Sequence, residues 1–232
     1  DSAGVSAGEP GTLACAARVE PAASAPSPAS LPTPGTAPVA RTTQPVAAFL
    51  GDSYTTGYNS FGLGAAGWPA IVSAALGLQP LNRAVAGTGF VNPGWTNQPI
   101  RTRVEAVVKA NPRVVFLAGG HNDRRYGATS AMAAAVPVID RLHAALPGSA
   151  LVIVGPIWQS GSVPSALWSL NDQLRQKAAS IGAVFIDPVR GGWFAGTWQQ
   201  LISADGIHPT NAGHRRIADL VGAYLMVDMA HF

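Results

Sequence analysis

Four short segments carry the residue types that acyl chemistry needs: Gly51-Asp52-Ser53, Ala84-Val85-Ala86-Gly87, Gly120-His121-Asn122-Asp123 and Asp205-Gly206-Ile207-His208-Pro209. A serine hydroxyl is a weak nucleophile at neutral pH and attacks a carbonyl only with a base beside it. His208 can take the Ser53 proton and return it to a leaving alcohol. Asp205 precedes His208 across a glycine, so both side chains can point into one cleft. A carboxylate on the second ring nitrogen fixes the imidazole tautomer and stabilises the imidazolium. Gly-Asp-Ser alone or Asp-x-x-His alone is a weak signal; the four segments in this order are a strong one.

These segments must be positioned by regular elements. Four apolar runs read as strands: Val46 to Leu50, Arg113 to Ala118, Ala150 to Val154 and Ala183 to Asp187. Their apolarity is continuous, as in strands covered on both faces. A weaker run from Pro80 to Val85 reads as a fifth strand. Amphipathic stretches lie at Trp68 to Leu76, Arg101 to Ala110, Thr129 to Leu146, Ser165 to Ile181 and Asn211 to Leu225, with Pro137 expected to kink the third. Strand and helix alternate, which predicts an α/β fold with a parallel sheet. Ligands bind outside the carboxyl ends of the strands in such sheets. The first three segments follow strands directly, and the fourth lies between the last strand and the last helix.

From Val46 to about Leu225 the chain resembles the SGNH/GDSL hydrolase family, named for the serine, glycine, asparagine and histidine of its sequence blocks. Ser53 matches the block-one nucleophile, Gly87 the block-two glycine, Asn122 the block-three asparagine, and Asp205 with His208 the Asp-x-x-His block. Ala84 stands where block two usually carries an extra glycine. The resemblance implies a three-layer α/β/α sandwich of flavodoxin-like order with about five parallel strands. It also implies an oxyanion hole made by the backbone N–H of Ser53, the backbone N–H of Gly87 and the side-chain amide of Asn122. The expected activity is hydrolysis of carboxylic esters through an acyl-serine, short acyl groups before long ones. The substrates would be small-molecule esters, lipids or acylated glycans. An acyltransferase using the same residues on a sugar or lipid acceptor is the enzymatic alternative, and a non-catalytic binding protein on the same fold is a second.

Neighbouring residues sort by the same logic. Asp52 and Asp123 flank the reactive positions and are expected to hold loops by hydrogen bonds. His121 occupies the variable slot of its block and, with Trp158, is a candidate for the substrate pocket. The tryptophans at 95, 158, 168, 193 and 198 fall in or near loops and divide between core and pocket. His143, His214 and His231 read as ordinary helix or tail residues. His208 and His214 lack the i, i+4 spacing of a helical zinc pair, and no metal or cofactor is expected. Gly62-x-Gly64-x-x-Gly67 has the letters of a dinucleotide fingerprint. It does not follow its strand directly, and Asn82 stands where an acid belongs. Thr55 fills the last glycine slot of a Gly-x-Ser-x-Gly elbow, which disfavours an α/β-hydrolase.

Composition sets the remaining bounds. The chain has 232 residues, 47% hydrophobic and 12% charged, with a net charge of +3. Its 15 basic residues are scattered rather than clustered, which argues against nucleic-acid binding. No apolar run has the length of a membrane span. Residues 1–45 are rich in proline, alanine and serine, too poor in apolar surface to offset their ordering entropy, and read as a flexible leader. Residues 46–232 are then the catalytic domain. Such a leader points to a secreted or envelope-associated protein, although no signal peptide is visible. Cys15 is the only cysteine, so no internal disulfide can form. Thr12 stands where a lipoprotein signal carries an aliphatic residue, and lipid anchoring through Cys15 is not expected. The oligomeric state is left open.

Overall fold

The computed structural model describes residues 44–58, 67–196 and 198–228. The expected leader up to residue 43, Cys15, most of the 62–67 glycine stretch and His231 lie outside the described residues.

Five parallel strands form one sheet: β1 (Val46–Leu50), β2 (Gln79–Asn82), β3 (Val114–Ala118), β4 (Ala150–Val154) and β5 (Val184–Ile186), in the order β2-β1-β3-β4-β5. This is the expected flavodoxin-like order. Alternate residues point to opposite faces, and each face has its own apolar cluster. Phe49, Phe116, Val152 and Ile186 pack on one side with Trp68 and Val72 of α2 (Trp68–Ala75) and Ile217, Val221 and Leu225 of α7 (Asn211–Asp228). Phe49 and Phe116 stack at 4.8 Å, and Trp68 meets both edge-on at 5.3 and 5.9 Å. Leu50, Val115, Leu117 and Ile153 face the other way. They meet Val107 of α3 (Val104–Ala110), Ile139 and Leu142 of α4 (Ala128–Ala145), and Leu170 and Leu174 of α5 (Ser165–Ser180). Covering on both sides is why the central strands are unbroken apolar runs.

The elements depart from the sequence reading in three places. β2 covers Gln79–Asn82 rather than 80–85, because it is an edge strand and tolerates Pro80 and polar, exposed residues. Beyond its end, the Arg83 and Val85 amides still reach the Phe49 and Gly51 carbonyls at 2.8 and 3.1 Å. A 3₁₀ turn at Ile100–Arg103 precedes α3, where one longer helix was expected. α4 carries Pro137 within a single helix, where the sequence reading placed it. Two short helices, α1 (Ser53–Thr56) and α6 (Trp198–Leu201), had no periodicity long enough to read. Among the described residues no helix is long and apolar enough to cross a membrane.

Candidate active site

Ser53 is the first residue of α1, directly after β1, and is buried. Asp52 caps this helix, its carboxyl accepting from the Tyr54 amide at 3.0 Å. Burial pushes Asp52 up to about 7, reinforced by Asp123 and opposed by the Tyr54 amide and Arg103. The Ser53 amide is among the first N–H groups of the helix, which have no intrahelical acceptor, so it is available at the strand edge. α1 closes on Gly57 in the left-handed conformation after a single turn.

The His208 loop is tied to α1 through the residue beside the serine. The Tyr54 hydroxyl donates to the Ile207 carbonyl, and the Tyr54 and Tyr58 rings stand 6.2 and 4.4 Å from the His208 ring. His208 Nδ1–H donates to Asp205 Oδ2 at 2.7 Å. The other carboxyl oxygen, Oδ1, accepts the Ile207 and His208 amides at 2.9 and 3.0 Å. Desolvation raises the Asp205 pKa. The hydrogen bonds from the His208 amide, the His208 ring and the Ile207 amide outweigh it and hold the carboxyl well below the ordinary value. Asp205 is therefore an anion facing Nδ1, the condition that leaves Nε2 free to act as a base.

The second and third segments meet beside it. Gly87 has φ +75, a left-handed conformation that favours glycine, and the space beside its Cα is open, with nothing within 4 Å of where a Cβ would sit. The Asn122 side-chain amide donates to the Thr88 carbonyl at 2.9 Å. An amide nitrogen carries two N–H groups; this bond uses one and sets the plane of the other. Asp123 fixes the loop, accepting the amides of Phe90, Val91 and Asn92 at 2.8, 3.0 and 2.9 Å. A Cβ at Gly89 would run into the Asp123 carboxyl, so the loop closes this tightly only with glycine there. Asp52 and Asp123 thus do hold loops. Asp123→Ala strands three amides at a buried position and is expected to reduce stability by roughly 3–5 kcal/mol, read from urea unfolding. A loss below about 1 kcal/mol would mean that water replaces the carboxyl at no penalty.

His121 and Trp158 are brought together. Their rings stack at 5.4 Å, and Tyr54 lies 5.4 Å from His121 on the way to His208. His121 is buried and its Nδ1–H donates to the Ile157 carbonyl at 3.0 Å. Burial pushes its pKa down to about 4, against the pull of that carbonyl and helped by Arg124 and His208. The unfolded imidazole binds a proton below its ordinary value of 6.5, the folded one only below about 4. Between these values the unfolded chain holds more protons, so stability is full above the window and lost as pH falls through it. The wild type is expected to lose up to about 3 kcal/mol more than His121→Gln between pH 7 and 4. Urea unfolding of both proteins across that range checks this, and parallel curves would refute it.

Trp158 also walls a cavity of about 290 Å³ with Val163, Pro188, Val189, Trp193 and Phe194, between the loops after β4 and β5. A larger apolar groove of about 600 Å³ lies between α2 and α7, lined by residues such as Ile71, Ala75, Gly222 and Met226 and by none of the site residues. A binding cleft needs a few convergent polar groups, and the four segments converge elsewhere. The other tryptophans scatter: Trp68 and Trp193 are core, while Trp95 is fully exposed and belongs to neither core nor pocket. Trp168 is exposed beneath the Arg190 guanidinium, 5.4 Å from its ring. His214, expected to be ordinary, is a buried residue whose Nε2–H donates to the Tyr58 carbonyl at 3.1 Å. Among the described residues no group of three His, Cys, Asp or Glu side chains could hold a metal ion.

Sequence reasoning missed Tyr54 and Arg103. Arg103 is buried, with Nη1 donating to the Gly51 carbonyl at 3.3 Å and Nη2 to Thr88 Oγ1 at 3.0 Å. Burial lowers its pKa to about 10 against the attraction of Asp52. An arginine before a helix looks like a solvated residue in sequence; only the fold carries it under the site.

An open parallel sheet in this order, with serine, glycine, asparagine and an Asp–His pair gathered at one edge, is the architecture of the SGNH ester hydrolases. Residues 49–216 match the family model for GDSL-like lipases/acylhydrolases, and the chain belongs to that family; it is an ester hydrolase. It is 30% identical over 190 residues to the GDSL lipase Rv0518 of Mycobacterium tuberculosis, an alignment spanning 78% of this chain and 82% of that protein. Solved structures share the fold. An acetyl-xylooligosaccharide esterase from Geobacillus aligns at TM-score 0.62 with 19% identity over 78% of this chain and 94% of its own. The psychrotrophic esterase EstA from Pseudoalteromonas aligns at TM-score 0.63 with 16% identity over 80% and 98%.

Proposed function

We propose that the protein hydrolyses short-chain carboxylic esters through an acyl-serine intermediate, with Ser53 as nucleophile, His208 as general base and acid, and Asp205 as its orienting anion. The observation that carries this reading is the 2.7 Å bond from His208 Nδ1–H to Asp205, in a loop tied to the α1 turn that begins with Ser53. His208 Nε2 takes the hydroxyl proton as Ser53 Oγ attacks the ester carbon. The oxyanion receives the N–H groups of Ser53 and Gly87 and the second N–H of Asn122. The intermediate collapses, and His208 returns the proton to the departing alcohol. Water then repeats the cycle and releases the carboxylic acid. The modest cavity beside Trp158 supports short acyl or small alcohol groups, since it sits at the lower end of the usual range for ligand pockets, roughly 300–1,000 Å³. The leader composition supports export to the cell envelope or beyond.

A p-nitrophenyl ester series from acetate to palmitate, combined with phosphonate labelling and peptide mass spectrometry, tests both parts. The expected result is highest kcat/KM on the shortest esters and a phosphonyl adduct on Ser53. A maximum at long chains would replace the short-acyl reading with a lipase. An adduct elsewhere would remove Ser53.

A further inference from the structure

Arg103 is the only arginine among the buried polar and charged side chains of the described residues, and it lies where a charge is hard to place. A buried guanidinium needs acceptors for its donors; Nη1 and Nη2 have them, while Nε is buried without one among the described residues. Its acceptors are specific. The Gly51 carbonyl belongs to the residue that follows β1 and leads through Asp52 into Ser53. The Thr88 hydroxyl belongs to the residue immediately after Gly87. The Thr88 hydroxyl is itself oriented, donating to the Val85 carbonyl at 2.7 Å, and the Thr88 carbonyl holds the Asn122 amide at 2.9 Å. One side chain thus joins the backbone before Ser53, the turn after Gly87 and, through Thr88, the plane of the Asn122 amide.

We infer that Arg103 is the positioning residue of the oxyanion hole, setting the spacing of its three donors from beneath by bridging the Gly51 carbonyl and Thr88. This rests on the reading of Ser53, Gly87 and Asn122 as those donors. The planar guanidinium suits the task because its N–H groups diverge at fixed angles, so two acceptors on different loops are held at a set separation. A lysine supplies a single mobile point of charge and can satisfy one acceptor well. Asp123 grips the far side of the same loop, at residues 90–92. Arg103 grips the near side, where the donors are. A donor displaced by a fraction of an ångström stabilises the transition state less, while the ester still binds in its ground state.

Steady-state kinetics on p-nitrophenyl acetate, with thermal melting to establish folding, test this in Arg103→Met, Arg103→Lys, Thr88→Val, Asn122→Ala and the Arg103→Met/Asn122→Ala pair. Asn122→Ala is expected to lower kcat by roughly 100- to 1,000-fold. Arg103→Met should lower kcat by about 10- to 100-fold with KM within about threefold, and Arg103→Lys should recover part of that loss. The double variant should lose clearly less than the product of the single losses, because both act on one hole. Full kcat in Asn122→Ala removes the underlying donor reading. A large loss in Asn122→Ala beside near wild-type kcat in folded Arg103→Met overturns this inference alone. So does a loss confined to KM, or strict additivity in the double variant. If Arg103→Met does not fold, Thr88→Val decides: it keeps the backbone and removes the hydroxyl that receives Nη2, and an unchanged kcat overturns the proposal.

Discussion

Ser53→Ala is expected to lower kcat on p-nitrophenyl acetate by roughly 10^4- to 10^6-fold while leaving the melting temperature within a few degrees of wild type. The size follows from what the substitution removes and what it keeps. Only the hydroxyl goes. The residue-53 amide stays at the start of α1, and Asp52 still caps the helix through the Tyr54 amide. Residual turnover should therefore reflect an intact oxyanion hole acting on water. Alanine is well tolerated in a first helical turn, so stability should hold. Retention of activity within about tenfold in a folded variant would refute the acyl-serine route, because no other nucleophile has been assigned to the His208–Asp205 pair.

The readable and unreadable parts of this protein divide along physical lines. The central strands were legible because burial on both faces demands unbroken apolar runs, and Phe49, Phe116 and Ile153 are there for that reason. The edge strand was displaced because Gln79, Pro80 and Asn82 meet solvent, so its composition carries little signal. The first three site segments were legible because each follows a strand end, where the β2-β1-β3 order brings the loops after β1, β2 and β3 side by side; the fourth was legible from its Asp-x-x-His spacing before the last helix. The side chains that hold those segments in register were not legible. Tyr54 reaches Ile207 and Arg103 reaches Gly51 across 153 and 52 residues of chain. Local spacing holds no trace of such contacts. Trp158 was legible as a pocket candidate from its place after β4, yet nothing in sequence distinguished it from Trp95, which is fully exposed.

The second large effect concerns the tautomer of His208. Asp205→Asn is expected to lower kcat by about 10^4-fold with almost no change in stability. Asparagine is the same size, and its carbonyl oxygen can still accept the Ile207 and His208 amides that now reach Oδ1 at 2.9 and 3.0 Å. The other terminal atom becomes NH₂. Facing His208 Nδ1 at the 2.7 Å contact, a donor there requires Nδ1 to be the acceptor. The ring proton must move to Nε2, and a protonated Nε2 cannot take the Ser53 proton. The loop stays in place while the base points the wrong tautomer at the nucleophile. Asp205→Ala makes a useful contrast: it removes the amide anchors too, so it should lose both activity and loop stability. Nitrogen NMR of the imidazole measures the tautomer directly. An Asp205→Asn protein that keeps Nδ1–H and loses activity only a fewfold would mean that another group orients His208, and Asp205 would be left as a loop anchor.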